Sequence, residues 1–185
     1  MVEGRRPSSF DLMRYWIPVS LLFFCLYGVA DGEISLEKLK AAYVYNFLKF
    51  TVWPTEGSPD MPLQVCLGNA DEALHRAFAT LNGQSVNGRK ILVRDSPIKA
   101  EAIGCHVYYL RQGGAPVALR SLTARNPELL TIGDDEEFIA QGGIIGLREV
   151  DGRLQFDNNL AMIKQGRYQI SSQLLQLARN SRMKP

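Results

Sequence analysis

Residues 35–54, SLEKLKAAYVYNFLKFTVWP, carry the strongest helical pattern in the chain. Ser35 suits an N-cap, because its hydroxyl can accept a hydrogen bond from a backbone N–H left free in the first turn, and Glu37 suits the positive end of the helix dipole. At about 100° per residue, Leu36, Leu39, Tyr43, Phe47 and Phe50 fall on one face. Ala41, Val44, Tyr45 and Leu48 form a second apolar strip nearly opposite, and Lys38, Lys40, Asn46, Lys49 and Thr51 fill the gaps. Pro54 disfavours helix at Trp53 and marks the exit. A surface helix carries one apolar stripe, so two stripes place this helix between layers. One side packs on the chain's own sheet; the other is covered by a further layer of the same chain, a second subunit or a partner.

Downstream, short apolar runs alternate with amphipathic ones. Residues 63–67 (LQVCL), 90–94 (KILVR), 105–110 (CHVYYL) and 128–132 (ELLTI) have strand character, and residues 70–81 and 116–125 have helix character, with a weak helix over 97–103. A short helix is expected at 134–140, its early acids Asp134, Asp135, Glu136 and Glu137 matching the dipole. Consecutive acids on a helix point in different directions, which argues against a metal site there. Asp151-Gly152 between residues 143–150 and 153–157 is a hairpin signal. Residues 159–165 read as helical, with Gly166 as C-cap, and Ser171 caps a last helix to Ala178. Strands alternating with helices predict a single α/β domain: a mixed, mainly parallel sheet of about six strands, helices on both faces and a late antiparallel hairpin.

The 185 residues are 46% hydrophobic and 22% charged, with a net charge of +2. That suffices for one domain with a real core and offers no electrostatic footprint for nucleic acid. Residues 1–30 read as a signal peptide: Arg5, Arg6 and Arg14 precede an apolar run at 16–27, and Gly28-Val29-Ala30 places small residues for cleavage before Asp31. An uncleaved anchor helix is the competing reading. The domain then covers residues 31–185, exported and periplasmic. Two cysteines remain after cleavage, Cys66 and Cys105; an even pair in an exported chain favours a disulfide over two reduced core thiols.

Catalytic signatures are missing. There is no CxxC, HExxH, GxSxG or P-loop, and His75 and His106 have no second metal-type residue at a useful spacing. Gly142-Gly143-Ile144-Ile145-Gly146 precedes a strand and not a helix, so its glycines are read as points of close approach in a sheet. Glu149 and Asp151 read as solvated turn residues. No enzyme activity, cofactor or metal is expected. At the junction Phe156-Asp157-Asn158-Asn159, an asparagine can cap the following helix, and the end of a strand is also where α/β sheets bind ligands.

Several stretches together resemble the YfiR family: residues 40–54, Gln64-Val-Cys-Leu-Gly68, Gly142-Gly-Ile-Ile-Gly-Leu147, Gly152-Arg-Leu-Gln-Phe156, Asn159-Leu-Ala161 and residues 170–179. The resemblance implies a periplasmic protein of mixed six-stranded fold, often dimeric. It implies a regulator that represses an inner-membrane diguanylate cyclase, YfiN, by binding its periplasmic domain, and that is itself sequestered by an outer-membrane lipoprotein, YfiB. Cyclic-di-GMP and biofilm formation would then be the controlled outputs. Cys66 and Cys105 look like one of the family's two disulfide pairs. The second has no counterpart here, where Ala140, Gly146 and Leu147 stand without a cysteine, and redox control through it does not carry over. The partner surface is expected on Val44, Tyr45 and Leu48 of the anchor helix and on Phe156, Asn158 and Asn159. A periplasmic small-molecule sensor, using the end of the parallel sheet as its pocket, is the alternative.

Overall fold

A computed structural model describes residues 34–54, 61–96, 102, 104–111 and 119–182. The signal peptide and its cleavage site, and nearly all of the weak helix at 97–103, lie outside the described residues.

The anchor helix is α1, Leu36–Lys49, and Ser35 caps it by accepting from the Lys38 N–H. In chain order there follow β1 (Thr51–Val52), β2 (Leu63–Gly68), α2 (Glu72–Ala79), β3 (Ser85–Val86), β4 (Arg89–Asp95), β5 (Val107–Leu110), α3 (Leu119–Arg125) and β6 (Leu130–Gly133). The chain continues through β7 (Ile145–Val150), β8 (Arg153–Asn158), α4 (Leu160–Ile163), β9 (Gln169–Ile170), α5 (Ser172–Leu177) and α6 (Arg179–Arg182). The main sheet has seven strands in the order β3-β4-β2-β5-β6-β7-β8. From β4 to β7 all neighbours are parallel, and β3–β4 and β7–β8 are antiparallel. This is the expected mixed, mainly parallel α/β sheet with its late hairpin. At the hairpin turn, Asp151 and Gly152 both take positive φ (50° and 69°), the backbone that a two-residue turn matching strand twist requires. β1 and β9 form a separate two-stranded clip; two-residue strands carry no periodicity, so neither was legible in the sequence.

Alternation along the strands divides the interior. Val65, Leu67, Val107, Tyr109, Leu130 and Ile132 belong to the larger core, with Val44 and Leu48 of α1, Phe78 of α2 and Leu174 of α5. Cys66, Tyr108 and Leu110 belong to the smaller one, with Leu119 of α3 and Phe138. The Cys66–Cys105 disulfide is formed and buried in this second layer.

One expected element is corrected. Residues 134–140 form a run of turns, not a helix. Asp134 is used elsewhere: its carboxylate takes the Lys40 ammonium at 2.5 Å and the Tyr109 hydroxyl at 3.0 Å. Phe138 is drawn into the small core, where a Cβ on Gly133 or Gly143 would fall 2.4 or 2.2 Å from its ring. The glycines were expected to let backbones approach within a sheet; Gly143 instead lies before β7, and what approaches it is this side-chain ring.

Both edges of the sheet are blunted by asparagine side chains. Asn82 Oδ1 accepts from the Val93 N–H on β4. On β8, Asn180 Oδ1 accepts from the Asn158 N–H while its Nδ2 donates to the Asn158 carbonyl, reproducing the two bonds of a neighbouring strand. Such caps deny an edge to other chains.

Candidate partner-binding groove

The anchor helix has two apolar sides, as its pattern requires, but Val44 and Leu48, expected to meet a partner, are buried. Val44 and Leu48 have no exposed surface, and Ala41 has 2%. This strip lies on the sheet and stabilises the fold, at roughly 1.5–3 kcal/mol for each large side chain buried. It offers a partner nothing in the folded chain. Tyr45 is half-buried, with the Lys49 ammonium 5.6 Å above its ring. The other strip leans outward: Phe47 is buried, Tyr43 half-buried and Phe50 37% exposed.

That outward strip forms one wall of an open groove of about 760 Å³. The floor is β8, where Leu154 and Phe156 are each 6% exposed. The opposite wall is α5, with Leu174 buried and Leu177 55% exposed. The Phe156 ring sits edge-on to Phe47 at 5.1 Å, and Phe47 meets Tyr43 at 6.1 Å, so the floor and the helix wall are one aromatic stack. The Tyr43 hydroxyl donates to the Leu154 carbonyl at 2.6 Å and fixes α1 against the edge strand. Arg153 and Arg179 line the groove, and among the described residues no acidic side chain does. Arg179 is tied to Asp157 by two hydrogen bonds, 3.1 and 2.5 Å.

Phe156 is therefore in the groove, as floor. Asn158 and Asn159 are beside it and are structural. Asn158 is 3% exposed, its Nδ2 donating to the Leu175 carbonyl and its backbone held by Asn180. Asn159 is the N-cap of α4, accepting from Met162 N–H, and its Nδ2 donates to the Ile139 carbonyl. Of the groove lining only Phe156 was expected from sequence; Phe50, Tyr43, Leu177 and Arg153 are among those missed. Phe50 and Tyr43 were on the helical wheel, but a wheel does not say which stripe meets the sheet.

Among the described residues no three His, Cys, Asp or Glu side chains converge on a metal-sized space, and no helix is long and apolar enough to cross a membrane. His75 pairs with Asp95 at the surface. His106 is held between the Gln64 backbone and Arg89. At the C-terminal ends of β2 and β5, where doubly wound sheets bind ligands, Asp71 caps α2 and pairs with Arg111 at 2.6 Å. The Leu74 N–H bond and Arg111 hold its carboxyl below the usual range.

Comparison with curated proteins gives no match. Comparison with family models gives one over residues 37–179, which takes in α1, the whole main sheet and the groove. With that span and this fold, the chain belongs to the YfiR/HmsC-like family.

Proposed function

We propose that this chain is a periplasmic repressor that binds the periplasmic domain of a membrane-bound diguanylate cyclase in the α1–β8–α5 groove and holds the cyclase inactive. The supporting observation is the groove itself: Phe50 and Leu177 face solvent across an aromatic floor, on a chain of a regulatory family. Buried anchors in a concave apolar site are what carry protein–protein affinity. Arg153, exposed on the rim, complements a partner segment that carries a carboxylate. Repression requires tighter binding to the inactive cyclase; about 1.4 kcal/mol of preference shifts its balance tenfold. A YfiB-like lipoprotein would relieve repression by competing for the same surface, and a second copy of this chain would bury it in a homodimer.

The test is binding of the full chain to a YfiN-like periplasmic domain, with Phe50→Asp and Leu177→Asp as variants. Each should weaken binding at least tenfold, and deletion of the gene should raise cyclic-di-GMP. Undiminished binding by both variants would remove the groove from the interface, and unchanged cyclic-di-GMP would remove repression.

One observation favours a second reading, a small-molecule sensor: the groove volume lies within the roughly 300–1,000 Å³ of ligand pockets. A metabolite retained through purification and lost in Leu177→Asp would support it.

A further inference from the structure

The two walls of the groove are joined at one end by the β1–β9 clip. α1 runs into β1 and β9 into α5; Thr51 pairs with Ile170, Val52 with Gln169, and the Ser171 N–H donates to the Phe50 carbonyl at 2.9 Å. Just beyond β1, Trp53 is buried and anchors the clip to the body. Its Nε1 donates to the Glu128 carbonyl at 2.8 Å, and its ring meets Tyr168 at 6.4 Å and His106 at 6.0 Å.

His106 is placed between two groups that only donate. Its Nδ1 is 3.1 Å from the Gln64 backbone N–H, and its Nε2 is 2.9 Å from Arg89 Nη2. A neutral imidazole carries one N–H, so it accepts from one of these neighbours and opposes the other; a protonated imidazole opposes both. Arg89 is not free to turn away, since it also donates to the carbonyls of Met61 and Pro62. The charged groups facing this point among the described residues are Arg89 itself, from β4, and Glu128, before β6, which acts on Arg89. The Tyr168 phenol, beyond Trp53, is pushed up by burial and stays uncharged.

We propose that His106 is an acid-sensitive latch on the groove: its protonation breaks the contacts with Gln64 and Arg89, unseats Trp53 and loosens the clip that spaces α1 from α5. This inference rests on the groove being the partner site. Burial first, and Arg89 second, lower the imidazole pKa to about 4 in the closed arrangement. An opened ring titrates near its ordinary value of about 6.5, so acid favours opening, by about twentyfold between pH 7 and pH 5.

The experiment follows the His106 imidazole, the Gln64 amide and the Trp53 indole N–H by NMR in the full chain from pH 7 to pH 3.5, and in parallel its affinity for a YfiN-like periplasmic domain. The indole should shift with the same midpoint as His106, and affinity should fall over the same pH range. His106→Asn, whose Oδ1 can still accept from Gln64 but does not titrate, should flatten both profiles; His75→Asn, at the half-buried histidine paired with Asp95, should leave both intact. An indole that does not move, a midpoint apart from that of His106, or a profile unchanged in His106→Asn would overturn the latch. A moving indole with constant affinity would overturn its link to the groove. A moving indole with no binding at any pH would leave the latch standing and remove the partner reading instead. The wild-type midpoints decide the matter even if the His106 variant does not fold.

Discussion

The Lys40 ammonium of α1 lies 2.5 Å from the Asp134 carboxylate at the end of β6, and the two side chains are only 12% and 7% exposed. Asp134 also accepts from the Tyr109 hydroxyl, which is buried in the sheet. A helix on one layer and a strand end in another are thereby held in one register. Asp134→Leu should cost about 3–5 kcal/mol, because it leaves an ammonium buried without its counter-charge. Lys40→Met with Asp134→Leu should cost less than either single change. Urea unfolding of the three variants checks this; additivity would mean the pair does not act as a unit.

The buried strip of α1 and the exposed α5 wall of the groove should respond differently to substitution. Leu48→Ala removes a fully buried side chain and should destabilise by about 2–5 kcal/mol. Leu177→Asp alters a side chain that is 55% exposed and should change stability by no more than about 0.5 kcal/mol. Thermal unfolding distinguishes them, and a large loss for Leu177→Asp would show that the groove wall belongs to the core.

The Cys66–Cys105 bridge spans a sequence separation of 39. In the chain-entropy model its removal should cost about 4 kcal/mol. Dithiol reduction and Cys66→Ala with Cys105→Ala should therefore lower the melting temperature by similar amounts. An unchanged melting temperature under reduction would mean that the packing around the two sulfurs holds the layer without the bond.

Stability should also fall in mild acid. The His106 pKa is about 4 when folded and ordinary when unfolded, so between these values the unfolded chain binds more protons. The contribution is fully present above about pH 6.5 and is lost as pH falls toward 4. Because the ring is partly open to solvent, the loss should not exceed about 2 kcal/mol. The slope of unfolding free energy against pH between 6.5 and 4 should be shallower in His106→Asn than in the wild type.

Local pattern was enough for much of this protein. The α1 repeat, its Ser35 cap, the apolar runs of β2, β5 and β6, and the Asp151-Gly152 turn each depend on residues within a few positions of one another, so periodicity and backbone preference settle them. The absence of catalytic motifs and the family resemblance were likewise legible along the chain. Packing between distant residues decided the rest. Which strip of α1 faces the sheet depends on where β8 and α5 come to lie, more than 100 residues on, so Val44 and Leu48 became core and Phe50 became surface. The turn at 134–140 replaces a helix because Lys40 and Tyr109 claim Asp134 and a glycine-lined space claims Phe138. The groove is built from three separated segments. Burial and charge pairing are properties of the assembled chain, and no window of sequence contains them.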